Sequence, residues 1–230
     1  MRGMAQRSAP ASSAPRPEGQ GRRVRGLDAE QRRARRRDDL LAASLSLFGD
    51  KGYANVSIEE ICQTAYVGTK SFYEHFDSKE ACYLALFDQL GSTLQARVQG
   101  ALADQTGTDP AGIDDFIRTF AGALMADPRI PKVLFSQSTS VSPAVERRRR
   151  ANRRWAASLI ETIWRQYGII GPEAPRPWIH NVTIGLVGAL FELIADWLAD
   201  HDPSVEGDIE SLIQPMIEFH HVVRDGLAAR

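Results

Sequence analysis

The sequence is poor in cysteine: its 230 residues contain two, Cys62 and Cys82, both within predicted helices. Two thiols cannot form the disulfide framework on which small secreted domains depend, so the composition fits a reducing cytoplasm. We interpret both residues as buried thiols that pack as small hydrophobic side chains, and a redox switch is the alternative.

The residue constellations that enzymes need are also missing. No serine lies in a G-x-S-x-G turn, and no glycine-rich loop could hold a phosphate. His220 and His221 are adjacent, so their side chains should diverge by about 100° on a helix and make a poor metal pair. Asp200, His201 and Asp202 could in principle bind a metal. They stand at a predicted helix end, however, where Asp and His are ordinary residues. The sequence therefore predicts a protein that is not an enzyme, with no metal site and no cofactor.

Long uninterrupted apolar runs are absent as well. The N-terminus lacks the apolar segment of a secretory signal. The most apolar stretch, residues 178–198, is interrupted by His180, Glu192 and Asp196. It is apolar nearly all round, which predicts a buried helix rather than a membrane span.

Charge is present but unevenly distributed. The formal net charge is −1, yet residues 1–37 contain eleven arginines against three acidic residues, so the remainder is acidic. A basic segment on an acidic body is typical of a nucleic-acid-binding arm. Residues 1–28 have no hydrophobic period and predict a disordered arm in which Arg22, Arg23 and Arg25 contact DNA. A basic tail that only aids solubility is the alternative.

The stretch from residue 56 to residue 80 carries the most information. Ser57 and Glu60 have the spacing of a capping box, which predicts the start of a short helix. After a turn at residues 66–68, a second short helix can begin at Thr69, with Phe72 and Phe76 facing inward. Its outward-facing residues are expected to be Lys70, Ser71, Tyr73 and His75. Two short helices joined by a tight turn, the second polar and aromatic, indicate a helix-turn-helix motif.

The order and spacing of these residues resemble the DNA-binding domain of TetR-type transcriptional regulators over roughly residues 35–90. The positions that carry the resemblance are Leu47-Phe48, Gly52-Tyr53, Val56-Ser57-Ile58, Ala65, Phe72-Tyr73-Glu74-His75-Phe76 and Ser78-Lys79-Glu80. The chain departs from the family at Tyr66, where the turn usually has glycine, and at Gly68, where serine or threonine often caps the second helix. A tyrosine held at positive φ costs about 1–2 kcal/mol.

We therefore expect an all-α fold: the disordered arm at 1–28, a three-helix helix-turn-helix domain at 29–76 and a helical ligand-binding and dimerisation domain at 77–230. In the second part, Ser142-Pro143 predicts the start of a long helix that reaches about Tyr167. A last helix over about residues 205–228 contains Pro215, which should kink it.

The resemblance implies a ligand-responsive transcriptional regulator, expected to be a repressor, that binds a palindromic operator as a homodimer through its last two helices. Repressor and activator are not separable from sequence, and a ligand-independent or architectural DNA-binding protein is the alternative. DNA contacts are expected from the helix-turn-helix residues Ser57, Thr69, Lys70, Ser71, Tyr73, His75 and Lys79.

A small-molecule effector is likewise implied by the resemblance, bound between the helices of the second domain. Apolar and aromatic residues with a few polar groups are expected to line its site. The candidates are Phe116, Phe120, Leu124, Arg149, Asn152, Trp155, Leu159, Trp178 and Asn181. If Arg149 or Asn152 faces inward, an effector with a carboxylate or phosphate is favoured, because a buried guanidinium binds a bidentate anion well.

Overall fold

Helices account for the regular structure of the chain. The computed structural model describes residues 28–103, 111–135, 142–205 and 208–228, and these ranges contain nine α-helices, one 3-10 turn and no strand. The all-α prediction is confirmed. The elements are α1 (Ala29–Lys51), a 3-10 turn (Tyr53–Asn55), α2 (Ile58–Thr64), α3 (Thr69–Tyr73), α4 (Lys79–Ala103), α5 (Ala111–Met125), α6 (Arg129–Phe135), α7 (Pro143–Gln166), α8 (Arg176–Asp200) and α9 (Ile209–Ala228).

The first two helices begin at reciprocal caps. Asp28 accepts from the backbone N–H of Gln31, whose side chain accepts from the backbone of Asp28. Ser57 and Glu60 form the predicted capping box in the same way at the start of α2. Each pair satisfies backbone donors that have no partner inside the helix.

The turn between α2 and α3 is closed by two backbone bonds of a Schellman motif. The N–H of Val67 donates to the carbonyl of Cys62 at 2.9 Å, and the N–H of Tyr66 donates to Gln63 at 3.2 Å. This geometry needs a left-handed residue after the last helical one. Tyr66 takes that position with φ of 54°, and it is the one non-glycine residue with positive φ in the described part of the chain.

An aromatic core holds these short helices together. Phe72 and Phe76 of the motif are buried, as predicted. Phe48 of α1, Tyr53 and Tyr83 pack against one another, with ring centroids 5.1 to 5.5 Å apart. Since Tyr83 belongs to α4, the same cluster attaches the helix-turn-helix motif to the rest of the chain.

The remaining helices form the second domain, in which α8 packs on α6, α7 and α9. Ser142 caps α7 and Pro143 is its first residue, confirming that start. Residues Asp202–Val205 form a turn closed by the Val205 N–H on the Asp202 carbonyl, so α9 begins at Ile209 rather than near residue 205. Pro215 lies inside α9, which continues past it to Ala228.

Helix α8 is less enclosed than its sequence predicts. The segment Pro177–Asp200 has a mean hydropathy of 1.7, but 28% of its most apolar window is buried within the chain. Its length and composition would suffice to cross a membrane, a test that core helices of soluble proteins also pass. One side packs on α6, α7 and α9, while Asn181, Gly185 and Glu192 lie on the exposed side.

Candidate DNA-binding surface and ligand cavity

Three of the predicted DNA contacts are exposed on α3. Thr69, Lys70 and Tyr73 all present their side chains to solvent, and 54% of Tyr73 is accessible. The N-terminal residues of such a helix enter the major groove in helix-turn-helix proteins. Ser57 is exposed at the start of α2, on the same motif, although its hydroxyl already bonds with Glu60.

Ser71 and His75 are more enclosed than an outward orientation requires. The Ser71 hydroxyl oxygen and the His75 Nε2 atom are both buried. Burial, followed by the nearby charges of Arg33 and Arg37, lowers the pKa of His75. A neutral imidazole can donate one hydrogen bond to phosphate but brings no charge. Their DNA contacts stay predictions, and their outward orientation is corrected to a partly inward one.

Lys79 has a structural partner that the sequence did not reveal. Its ammonium donates to the carbonyls of Tyr53 at 2.9 Å and Val56 at 2.7 Å, and it lies 4.4 Å from the Tyr53 ring centroid. Two of its three N–H groups therefore fix the backbone that leads into α2, leaving one for a phosphate. Lys79 positions the motif whether or not it also touches DNA.

Arginines of α1 add positive charge beside the motif. Arg33 reaches the carbonyl of Glu74 at 3.4 Å, and the Arg37 guanidinium lies 4.8 Å from the Phe76 ring centroid. Both belong to the basic run that the sequence places next to the arm. The arm residues Arg22, Arg23 and Arg25 lie outside the described residues.

The second domain contains a cavity of about 220 Å³ among α4, α5, α6, α7, α8 and α9. Its wall is mainly apolar and aromatic, and its polar groups come mostly from α7. Six of the predicted residues line it: Phe116, Phe120, Arg149, Asn152, Trp155 and Leu159. The sequence left open whether Arg149 and Asn152 face inward, and both residues line the cavity.

Three predicted cavity residues do not line it. Leu124 is fully buried in the packed core, while Asn181 is exposed on the outer side of α8. Trp178 is half-buried near the start of α8, away from the cavity wall. The prediction missed contributions from other helices, since pairing across the sequence is not visible in a helical period. These include Phe87, Gly91, Phe135, Phe191 and His220.

Gly91 shows how closely α7 approaches α4 at the cavity. A Cβ atom on Gly91 would lie 3.2 Å from the side-chain nitrogen of Asn152, so a larger residue would push that amide away. Gly188 of α8 also borders the cavity, whereas Gly185 does not, and a Cβ on either would meet no atom within 4 Å.

A second polar group lies at the base of the cavity. Trp164 donates its indole N–H to His220 Nε2 at 3.1 Å, and both residues are buried. Burial lowers the pKa of His220 to about 4, so its imidazole is neutral. The tryptophan bond therefore places the imidazole proton on Nδ1.

The expected divergence of His220 and His221 is wrong. Their ring centroids are 5.9 Å apart, and the ligating atoms of Asp114, His220 and His221 lie within 4.8 Å of one another. His221 bonds Asp114 at 2.8 Å. Trp164 argues against metal binding, because a neutral histidine that binds metal through Nδ1 must carry its proton on Nε2, facing the indole N–H.

Helix α6 connects the cavity to the DNA-binding surface. Leu134 and Phe135 line the cavity, while the carbonyl of Val133 accepts from the Tyr83 hydroxyl at 2.9 Å. At its start, Arg129 lies so close to α1 that a Cβ on Gly49 would come within 2.8 Å of the Arg129 Cβ. A displacement of α6 therefore reaches both α1 and α4.

Comparisons with known proteins agree with this arrangement. Residues 40–86 match the family described as bacterial regulatory proteins, tetR family. The transcriptional activator FasR of Mycolicibacterium smegmatis is 26% identical over 196 residues, which cover 85% of this chain and 87% of that protein. The regulator EthR of Mycobacterium tuberculosis is 29% identical over 86 residues, 35% of this chain and 40% of its own.

A solved structure shares the whole architecture. The fatty acid degradation regulator FadR of Bacillus halodurans superposes with a TM-score of 0.65 at 16% identity, over 82% of this chain and 94% of that one. At this identity the likeness concerns the fold alone.

Proposed function

Because the chain belongs to the TetR family of transcriptional regulators, we propose that it binds a roughly palindromic operator as a homodimer and is released by a small molecule. One recognition helix reads too few base pairs for adequate specificity, and a dyad supplies a second copy in the next major groove. The observation that carries the proposal is α6, which forms part of the cavity wall and also packs against α1 of the DNA-binding domain.

The proposed dimer uses α8 and α9 as half of a four-helix bundle. An apolar helix with little of its surface buried inside one chain needs a further partner. Gly185 offers open space for close approach, and Val222 of α9 is an exposed apolar residue with 69% of its surface accessible. A second copy of the chain satisfies both helices at once.

The proposed effector is a mostly apolar molecule with an anionic group. Aromatic walls favour its apolar part, and Arg149 with Asn152 offers donors where α7 borders the cavity. Release follows if the effector binds better to a form whose two recognition helices no longer match successive grooves. The protein is proposed to act in the cytoplasm, where operator and effector meet.

We propose repression as the regulatory outcome, since a dimer seated on a promoter blocks polymerase unless released. Activation is the second candidate, favoured by the name of FasR, to which most of this chain is similar. A ligand-independent architectural role fits less well, because such a protein would need no cavity.

The test begins with selection of bound sites from random duplex DNA by the full chain. A dyad-symmetric site and a dimer at working concentration are expected, and a site without symmetry bound by a monomer would contradict the proposal. Gly185→Glu should give monomers that lose operator binding. It is a cleaner test than Gly188→Glu, because Gly188 also borders the cavity. A reporter placed behind the selected site then distinguishes repression from activation.

A further inference from the structure

Tyr66 contributes little to the stability of the fold. Its side chain is 97% exposed, the most exposed large apolar residue among those described. Its backbone occupies the left-handed position that the Schellman turn requires, with φ of 54°. Glycine or asparagine would adopt that conformation with less strain.

A residue that neither packs nor relaxes its backbone calls for a functional explanation, because strained residues concentrate where they bind or react. In the described part of the DNA-binding domain, the exposed large apolar residues are two tyrosines, Tyr66 and Tyr73. Tyr66 lies three residues before the start of α3, and Tyr73 is the last residue of that helix. The two tyrosines thus frame the helix expected to enter the major groove.

The position of Tyr66 brings it to the edge of that groove. It precedes Thr69 by three residues, so their Cα atoms are at most about 11 Å apart. The major groove is about 12 Å wide, and phosphates border both its sides. A helix that enters the groove by its N-terminal end therefore carries the residue before it to one border.

We propose that Tyr66 is a DNA contact of this chain. Its ring lies against the sugar–phosphate backbone beside the N-terminus of α3, and its hydroxyl donates to a phosphate oxygen. The contact rests on the proposed function, since it requires that α3 enters the groove. It fixes how deeply α3 sits without reading a base, so it adds affinity for every sequence alike.

The experiment compares wild type with Tyr66→Asn in the full chain, on the selected operator and on unrelated duplex DNA. Asparagine tolerates positive φ, so the melting temperature should rise by about 2–4 °C. Affinity for both DNAs should fall at least tenfold. The slope of log affinity against log salt should stay unchanged, because a neutral side chain displaces no counterion.

Two further variants complete the test. Tyr66→Phe keeps the ring and the strain, and it should lose about three- to tenfold in affinity with no change in melting temperature. Val205→Asn removes an exposed apolar residue from the segment between α8 and α9, outside the motif, and should leave DNA binding unchanged.

The outcomes separate clearly. A more stable Tyr66→Asn variant that binds DNA like wild type overturns the proposal, and so does a less stable variant with a shallower salt slope, which would show a structural role. Wild-type affinity in Tyr66→Phe overturns the phosphate bond. If the wild-type chain itself binds no DNA, the proposed function fails, and that result is distinct from a failure of Tyr66 alone.

Discussion

The DNA-binding domain and the proposed ligand domain are both small helical bundles, but the first is more tightly packed than the second. In the first, α1 and α2 begin at reciprocal caps, and Phe72 and Ile61 leave no accessible surface. In the second, a cavity of about 220 Å³ separates the helices. This difference fits the proposed function, in which the first domain matches a fixed groove and the second keeps room for a ligand-bound arrangement.

The difference in packing between the two domains can be tested with one phenylalanine from each. Phe72→Ala removes a fully buried ring from the closed core and should lower the free energy of unfolding by about 3–5 kcal/mol. Phe116→Ala enlarges a space that already exists, so its cost should be below about 2 kcal/mol. Urea unfolding of both variants measures the difference, and equal costs would contradict it.

Acid should loosen the ligand domain. The pKa of His220 is lowered from 6.5 to about 4 in the folded chain. Below pH 6.5 the unfolded chain takes up a proton that the folded chain does not. Between pH 6.5 and pH 4, this lowers the free energy of unfolding by about 3 kcal/mol.

The variant His220→Gln isolates this effect, because it keeps an acceptor for Trp164 and removes the titration. His75 has a lowered pKa in the DNA-binding domain and adds a loss of the same sign, so the quantity to compare is wild type minus His220→Gln across pH. Parallel pH profiles for the two proteins would show that folding does not lower the pKa of His220.

Two glycines should respond with opposite sign. Gly49→Ala places a methyl group 2.8 Å from the Arg129 Cβ, and displacing α6 should cost about 1–3 kcal/mol. Gly122→Ala lies in α5 with no neighbour within 4 Å, and it should stabilise the helix by about 0.5–1 kcal/mol. Melting temperatures that move in the same direction would refute the close approach of α1 and α6.

Two lysines near the DNA-binding surface should differ in whether they stabilise the fold or bind DNA. Lys79→Met removes the bonds to Tyr53 and Val56 and should lower the free energy of unfolding by about 1–2 kcal/mol. Lys70→Met removes an exposed side chain, leaves stability unchanged and weakens operator binding by about 1–3 kcal/mol. Urea unfolding and DNA titration of both variants measure these effects. A Lys79→Met variant with lower DNA affinity and unchanged stability would contradict the assignment.

Local features were readable from sequence because they depend on neighbours along the chain. The capping box at Ser57 and the start of α7 at Ser142 both follow from residues within one turn. The positive φ of Tyr66 agrees with the family resemblance, in which glycine usually occupies that position of the turn.

Tertiary features were not readable, because they join distant positions. Trp164 and His220 are 56 residues apart, and nothing in either segment predicts their hydrogen bond. The partners of Lys79 are backbone carbonyls, which any sequence provides. The cavity wall was predicted in part on α5 and α7, as with Phe116 and Asn152, and it was missed on α4 and α9, as with Phe87 and His220.

The close approach of Gly49 and Arg129 limits where this chain can be cut to build a chimera with a relative. A chimera cut between residues 76 and 77 would carry Gly49 in one parent and α6 in the other, so a foreign side chain could meet α1. Tyr83 and Val133 both lie after the cut. Their hydrogen bond is therefore kept only if the parent that supplies this part of the chain has both groups. A working hybrid sensor should therefore keep α1, the first turns of α4 and α6 from one parent and exchange the cavity wall beyond them.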